Sequence, residues 1–200
     1  MKKQALLLAL GVAALSNVQM TAQAADIEAG KDAFETCRGC HSAVGSSNAY
    51  PTYYVPKVGG QVAAYTVSAL KSYKASNRPH RTMMANAFDM SEQKMENIAA
   101  YLAQSEGGSK KAIANGGNAA NGKKLAAACM ACHNDDTSEA ATNPRLAGQH
   151  ANFLEKAMLE YQSGKRNNSL MQSMVQGLSE DDIKDVAAYF TSLKGLTTVK

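Results

Sequence analysis

Two short segments of the chain have the residue types and spacing of a cofactor site. Both have the form Cys-x-x-Cys-His, and together they hold all four cysteines: Cys37, Cys40 and His41 in the first, Cys129, Cys132 and His133 in the second. This pattern is the attachment signal of a c-type haem, in which each thiol adds to a vinyl group and the adjacent imidazole binds the iron. We therefore predict two covalently attached haems c, with all four cysteines as attachment points and His41 and His133 as iron ligands.

Cysteine pairs also occur in zinc ribbons and in redox disulfides. The two pairs here are 92 residues apart, whereas a compact zinc ribbon separates its pairs by roughly 15–20 residues. No βαβ pattern surrounds either pair, which argues against a thioredoxin-like site. A histidine directly follows each pair, and this favours haem.

Residues 1–24 have the composition of a secretory signal peptide. Met1-Lys2-Lys3 is followed by an apolar run from residue 5 to 15 and by Ala22-Gln23-Ala24, an Ala-x-Ala cleavage site. We expect cleavage after Ala24 and export to the periplasm, the compartment where bacterial c-type haem is attached. No other stretch approaches the roughly 18 apolar residues of a membrane span. The 21 basic and 17 acidic residues give no indication of a nucleic-acid binder.

The chain contains an internal repeat. Gly30-Lys31 precedes the first haem motif as Gly122-Lys123 precedes the second, at an offset of 92 residues. Beyond the motifs the offset is 88 residues, and the segments 56–61 and 144–149 share the pattern Pro-x-x-x-Gly-Gln. A Gly-, Ser- and Lys-rich segment lies between the halves. We therefore predict two domains, residues 25–109 and 110–200.

The pattern within each half is helical. Apolar residues recur at spacings of three and four, and Ser91 and Ser179 are placed as helix N-caps. The predicted helices cover residues 26–37, 61–74 and 91–104 in the first half and 119–132, 149–163 and 179–193 in the second. No strand is predicted, so the fold class is all-α.

The sixth iron ligand should occupy matching positions in the two halves. Met83 and Met171 meet this condition, each in a predicted loop, and Met84 is a close alternative to Met83. His80 and His150 have no histidine at the matching position, so we interpret them as solvated or supporting residues. Methionine opposite histidine gives a closed site that favours reversible one-electron transfer. We expect no catalytic residues, no enzymatic activity and no small-molecule substrate.

Pro56 and Pro144 have an expected role next to the haem. A proline carbonyl is free to accept the Nδ1 proton of a ligand histidine and so to orient its ring. Lys57 and Arg145, which follow these prolines, are expected either to neutralise haem propionates or to be solvated.

These motifs together resemble the class I cytochromes c, and their duplication is similar to the di-haem cytochrome c4 family. The resemblance covers the chain from residue 25 onward. It implies two tandem class I cytochrome c domains related by a pseudo-twofold axis, with the haems near the interface. It also implies a periplasmic carrier, often loosely membrane-associated, that exchanges electrons with a cytochrome bc1-type donor, a terminal oxidase in the membrane or a dehydrogenase.

Two features depart from this resemblance. Tyr50, Tyr53 and Tyr54 crowd the loop after the first haem motif and have no counterparts in the second half. Phe34, which in class I cytochromes packs against the last helix, matches Ala126 in the repeat. These differences bear on the partners rather than on the haem chemistry.

Two other functions share the same motifs. The chain could be the cytochrome subunit of a larger dehydrogenase, such as a sulfide-oxidising flavocytochrome c, and a large apolar surface patch would favour this role. It could also be a di-haem peroxidase, which requires an open sixth position on one iron. The presence of both Met83 and Met171 argues against the peroxidase.

Overall fold

The computed structural model describes residues 24–49, 52–134 and 141–200. Residues 1–23 of the predicted signal peptide and Tyr50 therefore lie outside the described residues. The first half contains helices α1 (Ile27–His41), α2 (Ala63–Lys74), α3 (Arg81–Ala87) and α4 (Glu92–Gln104). The second half contains helices α5 (Ala119–Leu125), α6 (Ala151–Gln162), α7 (Ser169–Val175) and α8 (Glu180–Ser192), with a 3-10 turn at Cys129–Ala131. Within the described ranges, no helix is both long and apolar enough to cross a membrane.

The first and last helices of each half cross at a glycine. A Cβ atom on Gly30 of α1 would lie 2.0 Å from the carbonyl oxygen of Asn97 on α4, and one on Gly122 of α5 would lie 1.9 Å from that of Asp185 on α8. Contacts this short are impossible for a side chain, so the crossing requires glycine. This close approach is the physical reason for the repeated Gly-Lys pairs.

Each half has its own apolar core. The first core consists of Phe34, Leu70, Met90, Met95, Ile98, Leu102 and Val199. The second consists of Ala126, Ala151, Leu154, Val186, Ala187 and Phe190. The Phe34 ring packs against Tyr101 of α4 with 5.7 Å between centroids, whereas Ala126 occupies the matching position in the second half.

The predicted helices are largely confirmed. Ser91 and Ser179 cap α4 and α8, each accepting a backbone N–H at 3.1 Å. The prediction of one helical run to Cys132 is wrong, because α5 ends at Leu125 and the second haem motif lies on the separate 3-10 turn. The backbone leaves the helix at Ala126, which is fully buried.

The prediction that the chain contains no strand is also wrong. Strands β1 (Ser47–Ala49) and β2 (Thr52–Tyr54) form an antiparallel hairpin in the tyrosine-rich loop. Each strand is only three residues long, and the hairpin is held by residues of the second half. The Tyr53 ring lies 6.4 Å from that of Phe153, and the Tyr54 N–H donates to Asn152 Oδ1 at 3.2 Å. Such long-range contacts leave no local sequence pattern.

Two glutamines from the repeated Gly-Gln pairs join the halves reciprocally. The Gln149 side chain accepts the backbone N–H of Lys57 and donates to its carbonyl, both at 2.9 Å. Gln61 does the same with the backbone of Arg145, at 2.9 and 3.1 Å. The repeat relates the contact of Gln149 with Lys57 to that of Gln61 with Arg145, as a pseudo-twofold axis requires.

The segment 196–199, which follows α8, crosses back to the first half. Thr197 and Gly59 exchange two backbone hydrogen bonds of 2.9 and 3.0 Å. Val199, only 2% exposed, belongs to the first core. The two halves therefore share part of a core as well as an interface.

Candidate functional site

The first haem motif lies at the C-terminal end of α1, where His41 is oriented by a backbone carbonyl. Its Nδ1 lies 2.9 Å from the Pro56 carbonyl oxygen. Because a carbonyl can only accept, Nδ1 carries the proton and the lone pair of Nε2 is left for a metal. Burial lowers the pKa of His41, and the proline hydrogen bond opposes this shift only in part.

The second haem motif repeats this geometry on a different local structure. His133 Nδ1 lies 2.8 Å from the Pro144 carbonyl oxygen, although the motif is on a 3-10 turn instead of a long helix. The imidazole is 8% exposed, and burial lowers its pKa. The prediction that both prolines orient the motif histidines is confirmed.

All four motif thiols are free. Cys37 and Cys129 are partly buried and Cys40 and Cys132 are exposed. Burial raises the pKa of the Cys37 and Cys129 thiols.

A cavity lies between the first haem motif and α3. Motif residues and a sulfur ligand candidate share its walls: Cys37, Cys40, His41 and Met83. Its apolar lining includes Phe34, Leu70, Ile98 and Leu102, and it extends to Pro144, Leu146 and Leu154 of the second half. Lys57, Arg78 and Arg145 also line it. An apolar slot lined by two thiols, an imidazole and basic side chains fits a haem with its two propionates.

Met83 and Met171 lie on short helices, so their prediction as loop residues is corrected. The Met83 N–H donates to His80 Nδ1 at 3.2 Å, and the Met171 N–H donates to Asn168 Oδ1 at 2.9 Å. His80 and Asn168 thus cap α3 and α7, and these caps are the sequence signal that indicates the two helices. Met83 lines the cavity and packs on the first core, whereas Met84 is absent from the described lining residues. Met171 is half-buried.

The other two histidines support the structure. His80 caps α3 and its Nε2 meets the Tyr53 hydroxyl. His150 is only 3% exposed, so the solvated interpretation is wrong for it. Its Nδ1 accepts the Ile113 N–H at 3.1 Å, and burial together with the charge of Lys57 lowers its pKa to about 4.

Lys57 and Arg145 are not solvated but hold the two halves together. The Lys57 Nζ donates to the carbonyls of Lys110 and Leu196 at 3.0 and 3.2 Å, and burial lowers its pKa to about 8. An Arg145 Nη donates to the Gly60 carbonyl at 2.8 Å. Both side chains also line the cavity, so contact with a propionate stays a prediction.

Sequence reasoning overlooked two buried arginines, Arg78 and Arg166, at the interface. They are 9% and 8% exposed, and both donate to the Tyr65 hydroxyl, at 3.4 and 2.9 Å. Their positions differ by the repeat offset of 88 residues. The repeat was therefore the signal that could have identified them.

The cytochrome c family model matches the chain twice, over residues 27–106 and 119–194. Each match contains one haem motif with its histidine–proline pair and one of the candidate methionines. The chain belongs to the cytochrome c family, with two tandem domains that each carry a covalently attached haem c.

Proteins of the cytochrome c4 type are among its relatives. Cytochrome c4 of Stutzerimonas stutzeri is 31% identical in an alignment of 212 positions that covers 94% of this chain and 96% of that protein. The crystal structure of reduced recombinant cytochrome c4 from Pseudomonas stutzeri superposes with a TM-score of 0.72 at 29% identity, covering 85% of this chain and 100% of that one. The thiosulfate dehydrogenase electron acceptor of Stutzerimonas stutzeri is 29% identical and covers 92% of this chain and 93% of that protein. The chain is a di-haem electron-transfer protein similar to cytochrome c4.

Proposed function

We propose that this protein is a periplasmic carrier that passes single electrons between a respiratory donor and a terminal oxidase or another acceptor. It would do so through two haems, ligated by His41 and Met83 in the domain of residues 25–109 and by His133 and Met171 in the domain of residues 110–200. Thioethers would form at Cys37, Cys40, Cys129 and Cys132. The observation that carries the proposal is that His41 and Met83 line the same cavity, with His41 held in the tautomer that leaves Nε2 for iron.

The ligand set favours electron transfer over bond formation. A bound haem would supply a one-electron couple, and ligation by a histidine and a methionine would leave the iron without an open position and favour its reduced state. The Pro56 and Pro144 carbonyls fix the imidazole orientation. Little has to move when the oxidation state changes, and the protein would act as a carrier without an enzymatic step.

The arrangement of the halves supports electron exchange within the molecule. The haem cavity of the first half extends to Pro144, Leu146 and Leu154 of the second, and the paired glutamines hold the two halves in register. An electron received by either haem would therefore pass to the other within the molecule. Export through residues 1–24 would place the carrier beside membrane-bound respiratory complexes.

A second candidate is the electron acceptor of a dehydrogenase. A relative of nearly the same length has the name thiosulfate dehydrogenase electron acceptor. Two exposed apolar residues on α7, Leu170 at 63% and Met174 at 44%, flank Met171 in sequence. An apolar patch beside a ligand residue would suit docking to such an enzyme. Both candidates require the same closed haem sites. The periplasmic carrier remains the main proposal.

An optical redox titration of the purified holoprotein tests the proposal. Haem content would be determined in parallel, and the near-infrared methionine-to-iron band would be followed in the oxidised form. We expect two haems per chain, both titrating at positive potential with the band at full intensity. One haem that titrates low, lacks the band or binds cyanide readily would contradict the carrier and favour the peroxidase. Reduction by a purified thiosulfate or sulfide dehydrogenase, faster than by a cytochrome bc1-type complex, would favour the second candidate.

A further inference from the structure

Two loops in equivalent positions each bury an arginine. Arg78 lies between α2 and α3, and Arg166 lies between α6 and α7. Their backbone N–H groups donate to the equivalent carbonyls of Ser72 and Glu160, at 3.2 and 3.0 Å. The Arg78 guanidinium lies 4.5 Å from the ring centre of Tyr73, and that of Arg166 lies 4.6 Å from that of Tyr161. The two loops are therefore built alike.

The two arginines, one from each half, meet at a single hydroxyl. Both guanidinium groups donate to Tyr65 Oη, and the repeat has Phe153 at the matching position, so the second half offers no equivalent hydroxyl. Burial raises the pKa of Tyr65, but the two positive charges outweigh burial and lower it to about 8. The phenol thus experiences both charges at once.

The charges of this cluster are not balanced by carboxylates in the described residues. Neither Arg78 nor Arg166 is among the ion pairs found there, and the neighbouring Glu160 is paired with Lys156. Two buried cations without a counter-charge are costly. Arg78 and Tyr65, like the paired Lys156 and Glu160, also line the cavity that holds His41 and Met83, so this cluster would face a haem bound there.

We propose that Arg78, Tyr65 and Arg166 form one charge unit between the domains that raises the reduction potentials of both haems. The inference rests on the proposed two-haem function. Positive charge in a poorly solvated interface favours Fe(II) over Fe(III), because reduction removes one positive charge from the iron. Since the two guanidinium groups share one hydroxyl, removing either charge should affect both haems.

The test compares charge-removing and charge-keeping variants of the holoprotein. Arg78→Gln and Arg166→Gln each remove one charge, and Arg78→Lys and Arg166→Lys keep it. Tyr65→Phe removes the shared hydroxyl and gives the ring found at position 153. Lys71→Gln, which removes an exposed lysine paired with Glu92, is the matched surface control. The two midpoint potentials would be measured separately from the resolved NMR signals of each haem, with haem content checked in every sample.

We expect each Gln variant to shift both midpoint potentials to less positive values, with the larger shift in the haem of the substituted domain. The Lys variants, Tyr65→Phe and Lys71→Gln should give smaller shifts. Shifts confined to the haem of the substituted domain, or no shift, would overturn the shared unit. A shift in Tyr65→Phe as large as in Arg78→Gln would assign the cluster a packing role instead. If the Gln variants do not fold, a large fall of potential in the Lys variants would also overturn it. A failure of the two-haem function itself would appear in the unsubstituted protein as missing haem or as a haem that does not titrate.

Discussion

The two halves of this protein keep the same histidine geometry but surround their methionines differently. In the first half, His80 caps the helix of Met83 and contacts Tyr53 of the hairpin, which in turn packs on α6 of the second half. In the second half, Asn168 caps the helix of Met171, and Leu170 and Met174 on that helix are exposed. The start of α3 is therefore joined through the hairpin to the second half, whereas α7 itself carries two exposed apolar side chains.

This difference indicates which features the duplication could change. Each histidine–proline hydrogen bond and each helix-crossing glycine is present in both halves, because each is needed inside a single domain. Several features that face outward or across the interface differ, although Gln61 and Gln149 are alike: Tyr65 stands against Phe153 and Lys57 against Arg145, and within the described residues a hairpin is found in the first half. The asymmetry therefore lies mainly in what each half contacts.

Removing a methionine ligand should change the spectrum of one haem and leave the other unchanged, and this is the largest effect that we expect. In Met171→Ala we expect the haem to stay attached through its thioethers while that site becomes high spin and the near-infrared band falls to about half, since one of two sixth ligands is lost. Met83→Ala should do the same to the first haem. Optical and near-infrared spectra of the oxidised protein measure both effects.

Neighbouring methionines provide the controls for this experiment. Met84→Ala and Met174→Ala change residues on the same two helices and should leave both spectra unchanged. An unchanged spectrum in Met171→Ala, or a loss of the band in Met84→Ala, would mean that the ligand had been assigned to the wrong residue.

The helix crossings of the two halves should be equally sensitive to replacement of their glycines. In Gly30→Ala and Gly122→Ala the new methyl group would meet a backbone carbonyl at 2.0 and 1.9 Å, so the helices must separate. We expect each change to lower the free energy of unfolding by roughly 1–3 kcal/mol or more. Denaturant unfolding monitored by circular dichroism measures this, with Gly177→Ala, which has open space around it, as control. A marked loss in only one half would mean that the other crossing can relax.

Gln149 and Gln61 should contribute unequally to the free energy of unfolding, although they are related by the repeat. Gln149→Leu would leave the N–H and carbonyl of Lys57 without partners, and this residue is only 2% exposed. We expect a loss of about 2–6 kcal/mol, since two buried groups lose their partners and each costs about 1–3 kcal/mol. Gln61→Leu should cost about half as much, because the Arg145 backbone is only partly buried and water can replace part of the interaction. Equal losses from thermal or denaturant unfolding would contradict this difference.

The candidate residues of the haem site could be proposed from the sequence because their spacing follows from the cofactor. Two thiols and an imidazole must lie next to each other in sequence, and the methionines follow from a repeat of matching positions. The prolines were predictable for the same reason, since each histidine needs one nearby acceptor.

The contacts between the halves could not be predicted in the same way. Tyr53 and Tyr54 form a strand only because α6 of the other half packs against it, and Val199 enters a core that begins more than 160 residues earlier, at Phe34. Neither contact has a local pattern of hydrophobic residues. Arg78 and Arg166 belong to an intermediate case, because the repeat marks them but nothing nearby in sequence shows that they meet.

His150, whose counterpart in the first half is Val62, should have an effect that is limited to acid pH. Its pKa is lowered to about 4 in the folded protein, below the ordinary value of about 6.5. Between these values the unfolded chain binds a proton that the folded protein does not, so stability falls as the pH is lowered from about 6.5 to about 4. The loss should reach at most about 3 kcal/mol, because one pKa unit corresponds to about 1.4 kcal/mol.

The variant His150→Gln isolates this contribution. Glutamine does not titrate, so we expect the variant to lose part of the slope of unfolding free energy against pH between 4 and 6.5, while it is less stable at pH 7 because it replaces the acceptor of the Ile113 N–H. His41 and His133 should add little to the slope difference, because both are unchanged in the variant and would be iron-bound in the holoprotein. Denaturant unfolding at several pH values measures the slopes, and identical slopes in the two proteins would mean that the buried imidazole of His150 is not the group that titrates.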